Sequence, residues 1–195
     1  FWGHRFAWFG QQTGSPWAIL PGSYLEFLQS LSKRTRKNIV NLTRRLKREH
    51  PEIQFGCVLD PEEIEAVFSA LVDLHQTRWK NRNLPGAFSS DLFKKFHLDM
   101  VYHKLEMGDL RMFYVKNEDT FIAVDLCYKM DSRVFDYIKG FDEEWEKYSV
   151  GFLLLSYAIE YSISEGAKSI DFLIGDADYK NRLATHTAND WFLMI

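Results

Sequence analysis

The spacing of apolar and polar residues predicts a chain that changes character near residue 109. Before that position, apolar residues recur every three or four places, which indicates amphipathic helices. After it, short alternating runs separated by turn residues indicate hairpin-linked strands. In chain order the predicted elements are a strand at 17–20, helical segments from 24 to 49, a strand at 53–59, helices at 60–82 and 90–107, strands at 110–116, 120–129 and 133–141, a helix at 150–165, a strand at 168–174, an irregular or briefly helical stretch at 175–187 and a last strand at 189–195.

Several of these boundaries are marked by residues that prefer helix ends. Asp60-Pro61 followed by two acids favours a helix start, because Asp caps free N–H groups and Pro suits the first turn. Pro51 disfavours helical geometry at His50 and so ends the preceding helix. Gly166 suits the residue just beyond a helix C-terminus. From residue 53 the predicted order is therefore β-α-α-β-β-β-α-β-(short α)-β.

The formal net charge of −3 conceals an uneven distribution. The segment 32–49 holds eight basic residues and one acid, a balance of +7, so the remaining positions carry −10. Ile39, Leu42 and Leu46 form a narrow apolar stripe on this segment, which leaves most of its surface cationic. The pattern predicts either a solvated helix paired with the acidic body or a surface for phosphate, nucleic acid or another polyanion.

Composition excludes several classes of protein. A hydrophobic fraction of 46% over 195 residues is ample for a folded core, and no apolar run approaches the roughly 20 residues of a membrane span. Cys57 and Cys127 form neither a disulfide framework nor a metal-binding spacing, which favours reduced thiols and a cytoplasmic location. His97 and His103 are six residues apart rather than four, so no metal is expected.

Three local sequences are similar to motifs of one known protein family. Leu74-His75-Gln76-Thr77-Arg78-Trp79-Lys80 is similar to the Leu-His-x-x-Arg-Trp motif of the BioF-like and cellulose-biosynthesis-type acetyltransferases, which belong to the GNAT acyltransferase superfamily. Asp171-Phe172-Leu173-Ile174-Gly175-Asp176, followed by Tyr179-Lys180, is similar to their Asp-Phe-x-x-Gly-Asp-x-x-Tyr-Lys segment. The basic segment, with Ser32-Lys33-x-x-Arg36-x-x-Ile39, is similar to the helix that precedes their first strand. The same pieces occur more loosely in Fem-type aminoacyltransferases, which are built from two GNAT-like halves.

The resemblance implies an α/β (α+β) GNAT fold. Its central mixed, mostly antiparallel sheet carries helices on both faces and follows the basic helical segment. Residues 1–22 are then expected to be the remnant of a preceding half-domain, 23–50 the basic segment and 51–195 the acyltransferase domain. Because the chain begins at Phe1 without Met, we expect it to be part of a longer protein or a processed one.

The resemblance also implies acetyl-CoA or another acyl-CoA as co-substrate. In GNAT proteins a helix N-terminus with glycine binds the pyrophosphate, since free N–H groups and the helix dipole both favour an anion. The corresponding positions are Ser149, Val150 and Gly151, with Lys147 as a further phosphate contact. Glu146 stands where the family places a basic or amide residue.

Catalytic residues are carried over from the Tyr-Lys segment. Tyr179 is expected to protonate the departing thiolate, and Lys180 is expected to stabilise developing negative charge. Asp125, an acid inside an apolar strand, is the candidate general base. Asp136 and Asp171 are similar acids. His186 is an alternative base.

The acceptor side is expected at the end of the first GNAT helix. Arg78 suits an anionic sugar or carboxylate and Trp79 suits a sugar ring, while Asp176 of the second motif is assigned to substrate binding. The leading hypothesis is N- or O-acyl transfer by direct attack to an amine or hydroxyl of a small molecule, amino sugar or polysaccharide precursor. One alternative is Fem-type aminoacyl transfer from charged tRNA. The other, encouraged by Glu146, is an inactive GNAT-like binding module.

Overall fold

The computed structural model describes residues 8–11, 14–175, 178–188 and 191–194. Two 3₁₀ segments, Ala87–Ser89 and Glu143–Tyr148, are also present. In chain order the elements are β1 (Trp8–Gln11), β2 (Ser15–Ile19), α1 (Tyr24–Ser30), α2 (Lys33–Glu49), β3 (Ile53–Cys57), α3 (Pro61–Asn81), α4 (Asp91–Glu106), β4 (Leu110–Asn117), β5 (Thr120–Met130), β6 (Arg133–Phe141), α5 (Val150–Ser164), β7 (Ser169–Asp171), α6 (Asp178–Leu183), β8 (His186–Ala188) and β9 (Trp191–Met194).

A seven-stranded mixed sheet with the order β3-β4-β5-β6-β7-β2-β8 forms the centre of the described chain. Its neighbouring strands pair antiparallel except for β6 and β7, which run parallel. A second, two-stranded sheet pairs β1 with β9. The predicted α/β architecture with a mostly antiparallel sheet is therefore confirmed.

Helices cover both faces of the sheet, and each face has its own apolar core. On one face, α5 packs with α1 and α2 over residues such as Phe113 and Ala123. On the other, α3 and α4 pack over Met112 and Leu126. None of the described helices combines the length and the apolar composition that crossing a bilayer requires.

Particular residues account for the helix start, the hairpin turns and one close contact between a strand and a helix. The Asp60 carboxylate accepts a hydrogen bond from the Glu62 N–H, which caps α3 at the predicted residue. The two hairpin turns place Glu118 and Asp131 in the left-handed region, with φ of 53° each. Gly140 lets β6 approach α3 closely, since a Cβ there would lie 2.7 Å from a backbone nitrogen of the helix.

The C-terminal third departs most from expectation. The strand predicted over 168–174 is shorter, because the chain turns at Leu173, whose φ is 54°. The stretch 175–187 contains the helix α6 and the beginning of the strand β8. This strand forms because β2 lies between β7 and β8 and offers hydrogen-bonding groups to both. The segment around β2 is thus part of the main sheet, while the proposed three-part division of the chain stays a prediction.

Candidate active site

A cavity lies where β6 separates from β7. The parallel pairing joins only Arg133–Phe135 to Ser169–Asp171, so the second half of β6 has no strand neighbour on that side within the described chain. Beside this half is a cavity of about 330 Å³, which we call the β6 cavity. Its lining residues come from α2, α3, β6, α5, α6 and the segment before α5: Asn38, Arg78, Lys139, Phe141, Glu146, Ser149, Val150, Gly151, Phe152, Tyr179 and Arg182.

A bulge in β6 brings an unexpected lysine to this cavity. Cys127 of β5 lies opposite Asp136, and Asp125 lies opposite Lys139, so two steps along β5 correspond to three along β6. Tyr137 is the extra residue, and it reverses the alternation of faces in β6. Asp136 and Lys139 consequently share the sheet face with Asp125.

Lys139 is held between two buried carboxylates. Its Nζ lies 3.1 Å from Oδ2 of Asp125 and 3.0 Å from Oδ1 of Asp136. The carboxylate side chains are 1% and 0% exposed, and that of the lysine is 11% exposed. Ligand atoms of both acids and of Cys127 lie within 4.8 Å of one another, a spacing that a metal ion would also accept. Here the ammonium supplies the positive charge, and the expected absence of a metal stays a prediction.

The cluster shifts the proton affinity of its members. Burial, reinforced by Asp136 and opposed by Lys139, raises the pKa of Asp125. Burial alone would lower the pKa of Lys139, but the two acids raise it well above its usual value. Lys139 is therefore a permanently charged ammonium at the cavity wall, and a proton retained on Asp125 reduces the excess negative charge behind it.

Tyr179 is brought to the same place, whereas Lys180 is directed elsewhere. The Tyr179 ring lines the cavity, and its centroid is 5.1 Å from the Lys139 Nζ. Burial raises the pKa of the Tyr179 phenol, so the group stays protonated at neutral pH. Lys180 donates a hydrogen bond to the carbonyl of Phe172 and is not among the lining residues. Burial lowers its pKa.

The N-terminus of α5 opens onto the cavity, as expected for Ser149, Val150 and Gly151. Ser149 adopts a left-handed conformation with φ of 52°, and its side chain caps no backbone group. A Cβ on Gly151 would lie 3.1 Å from the Phe141 ring, so close packing against that ring accounts for the glycine. The helix therefore offers first-turn N–H groups to an anion, although its glycine packs against protein.

Of the two charged residues before α5, Lys147, the expected phosphate contact, does not reach the cavity, whereas Glu146 does. Lys147 places its Nζ 4.9 Å from the Tyr148 ring centroid and does not line the cavity. Glu146 does line it, and supplies the one carboxylate among the described lining residues.

On α3, only one of the two predicted acceptor residues reaches the cavity. The Arg78 guanidinium stacks 4.4 Å from the Phe141 ring centroid, and its Nε is buried without a hydrogen-bond partner in the described part of the chain. Burial lowers the pKa of Arg78. Trp79 instead packs beside His75, with ring centroids 5.8 Å apart.

The remaining candidates are Asp171, Asp176 and His186. Asp176 lies outside the described residues. Asp171 accepts a hydrogen bond from the Leu173 N–H at 2.9 Å, a contact that ends β7. His186 stacks on Trp17 with a centroid distance of 4.5 Å. Neither of the latter two lines the cavity.

Comparison with family models gives one decisive match. The model described as an acetyltransferase (GNAT) domain matches residues 33–181, which is most of the chain. The chain belongs to the GNAT acetyltransferase domain family. The predicted GNAT fold and GNAT-type acyltransferase class are thus confirmed, whereas the BioF-like or cellulose-biosynthesis-type subfamily stays a prediction. No curated protein matches the chain in sequence.

Solved structures share this GNAT fold at low sequence identity. FemX has a TM-score of 0.69 and 13% identity over 94% of this chain and 62% of its own. The C-terminal domain of a putative lysylphosphatidylglycerol synthetase from Agrobacterium fabrum has a TM-score of 0.66 and 9% identity, covering 96% of this chain and 61% of that one. A conserved protein from Bacteroides thetaiotaomicron has a TM-score of 0.65 and 11% identity, with the same coverage. The chain therefore spans about three fifths of the length of these structures.

Sequence reasoning missed Lys139, the lysine at the wall of the β6 cavity. Lys139 was not among the candidates because ordinary strand alternation places it on the opposite face from Asp136. The only signal was the pair of acids, Asp125 and Asp136, in apolar strands, since buried acids require a partner. Asn38 and Arg182 were also missed, as they come from helices far apart in sequence.

Proposed function

We propose that this GNAT domain transfers an acyl group from acetyl-CoA or another acyl-CoA to an amine or hydroxyl by direct attack. The acceptor is a small molecule, an amino sugar or a polysaccharide precursor, in keeping with the BioF-like subfamily. The observation that carries this proposal is the convergence, on one cavity, of a helix N-terminus, a fixed ammonium and a protonated phenol: Val150 and Gly151, Lys139, and Tyr179.

These groups match the charge changes of acyl transfer. The thioester supplies an activated acyl group, whose carbonyl oxygen becomes negative when the acceptor attacks. Lys139 presents a positive charge that does not depend on pH in the neutral range, which favours that oxyanion. Tyr179 carries the proton that the departing thiolate requires.

The acids behind Lys139 act indirectly in this scheme. Asp125 is fully buried and contacts Lys139 rather than the cavity, so we assign it a positioning role in place of general base. Glu146 is the carboxylate on the cavity wall, and we assign it to accept the proton of the acceptor amine or hydroxyl. Lys180 keeps a supporting role, because its bond to the Phe172 carbonyl holds α6 against the residue that follows β7.

Acyl-CoA fits the cavity in part. First-turn N–H groups of α5, together with Arg78 and Arg182, favour a phosphate, and Glu146 opposes one. The thioester end of the donor is assigned to the part of the cavity near Lys139 and Tyr179.

A direct test measures both binding and turnover. Acetyl-CoA should raise the melting temperature, and free thiol should appear when a panel of amino sugars and amines is added. Glu146→Gln should retain the thermal shift and lose turnover. A thermal shift without turnover for any acceptor would instead support the inactive binding module.

The likeness to FemX, together with the basic helix α2, favours one alternative, aminoacyl transfer from charged tRNA. In that case charged tRNA, but no acyl-CoA, should raise the melting temperature. Binding should also weaken steeply as salt is increased.

A further inference from the structure

A second and larger cavity lies beside the β6 cavity. It measures about 970 Å³ and we call it the α2 groove. One wall is the start of α2 and the other is α6 with the residues that follow it. Its lining residues are Ser30, Leu31, Ser32, Arg34, Thr35, Lys37, Asn38, Asn41, Asn181, Arg182, Ala184 and Thr185.

The α2 groove is polar, and the charged residues that line it are all basic. Arg34, Lys37 and Arg182 line it, and no carboxylate does so among the described residues. Three asparagine side chains add hydrogen-bonding groups that carry no charge, whereas the hydroxyl groups of the lining serine and threonine residues are already bonded within the protein. Such a lining attracts anions, and its described residues offer a cation no carboxylate.

Two of these cations have no ion-pair partner among the described residues. Arg34 and Lys37 form no ion pair within the described chain, whereas Arg45 and Arg48 both pair with Glu49, at 3.2 and 2.9 Å. Arg34 and Lys37 are three residues apart on α2, which places them on neighbouring points of one helix face. A ligand with two adjacent negative charges can contact both.

The positive charge of α2 does not continue along the helix as one track. Arg44 and Lys47 line a different, largely apolar groove beside α5. Arg34 and Lys37 thus form a short local cluster, which suits a small anion better than a polynucleotide that needs several successive phosphate contacts.

The α2 groove and the β6 cavity are neighbours. Asn38 and Arg182 line both of them, so the two cavities share part of their walls. We infer that the α2 groove binds the diphosphate portion of a substrate whose reacting group lies in the β6 cavity. This inference rests on the proposed acyl transfer for the identity of the reacting group, but the anion site itself does not depend on it.

Two kinds of substrate contain a diphosphate, and the test separates them. Titration calorimetry on the whole chain would use inorganic pyrophosphate, CoA and a nucleoside diphosphate sugar as probes. Tighter binding of CoA than of the sugar nucleotide assigns the groove to the acyl donor, and the opposite order assigns it to the acceptor. If none of the three binds, the inference is overturned.

Matched double variants decide where the diphosphate binds. Arg34→Gln/Lys37→Gln should raise the Kd of the preferred probe at least about tenfold, since two charge-assisted contacts are lost. Arg44→Gln/Lys47→Gln removes the same charge from the same helix and should change Kd less than about twofold. Equal weakening by both variants would mean a general charge effect and would contradict the site, as would no weakening by the first.

The same variants distinguish a diphosphate site from a surface that binds a polynucleotide. A single-stranded RNA oligonucleotide that binds more tightly than every diphosphate probe, and that loses affinity in both variants, would replace the proposed site with an extended nucleic-acid surface. Failure of the proposed function has a different result: the diphosphate probes bind and Arg34→Gln/Lys37→Gln weakens them, but no acyl group is transferred.

Discussion

Lys139→Met should destabilise the fold in a way that depends strongly on pH. The substitution removes the ammonium that lies 3.0–3.1 Å from two buried carboxylates while keeping a similar side-chain volume. Contact between an ammonium and one ionised carboxylate at this distance is worth roughly 5 kcal/mol at an effective dielectric constant of about 20, before desolvation is subtracted. Measured costs for breaking such buried pairs are about 3–5 kcal/mol.

Proton uptake sets the upper limit of this cost. Burial already raises the pKa of Asp125, so the variant needs to protonate one further carboxyl to remove the remaining negative charge. Protonating an ordinary aspartate costs about 1.4 kcal/mol for each pH unit above its pKa near 3.9, or about 4 kcal/mol at pH 7 and about 1.5 kcal/mol at pH 5. A raised carboxyl pKa in the folded state means that stability is present at low pH and is lost as pH rises.

Urea unfolding at pH 5, 6, 7 and 8 measures these differences. Lys168→Met, at an exposed position, is the control for loss of one positive charge and should cost less than about 0.5 kcal/mol. The triple variant Asp125→Asn/Asp136→Asn/Lys139→Met should recover most of the loss, because it leaves no buried charge. A cost for Lys139→Met that stays below about 1 kcal/mol at pH 7, or that does not vary with pH, would refute the argument.

Three further substitutions test the site and its support. Tyr179→Phe should lower kcat about 100-fold at an unchanged melting temperature, and full activity would remove the phenol from proton transfer. Lys180→Met should raise the activation free energy, calculated from kcat, by more than it lowers the free energy of unfolding. An unchanged kcat would remove Lys180 from the mechanism. Gly140→Ala should cost about 1–3 kcal/mol in urea unfolding, since the added Cβ would lie 2.7 Å from the His75 backbone nitrogen. Gly22→Ala, where the nearest atom is 3.8 Å away, is its control and should be near neutral.

Local chemistry made much of the fold predictable. Asp60 caps α3 at the expected residue, and the hairpin turns at Glu118 and Asp131 fall where polar residues interrupt alternating runs. These features depend on neighbours a few residues apart, which the sequence displays directly. The insertion of β2 between β7 and β8 was not foreseen, because pairing between distant segments leaves no periodic pattern.

The candidate site was predictable only where a motif marked it. Tyr179 and Arg78 reach the β6 cavity, and both belong to segments that resemble family motifs. Lys139 was hidden by the bulge at Tyr137, since a single inserted residue inverts the face on which every later residue of the strand lies. Glu146 was recognised as unusual, but its place on the cavity wall depends on the 3₁₀ segment before α5.

The position of β2 also dictates the order in which the molecule can be completed. Ser15 and its hydrogen-bond partner Asp171 are 156 residues apart, and Ile19 bonds to Thr185 across 166 residues. During synthesis β2 emerges from the ribosome before its partner strands β7 and β8, so it stays unpaired until almost the whole domain has been made. Such distant pairing slows folding, because the entropy of closing a long loop is lost before the contacts between the strands can stabilise the fold. Tyr179 lies between the two strands that β2 joins, so the candidate active site is among the last parts of the chain to form.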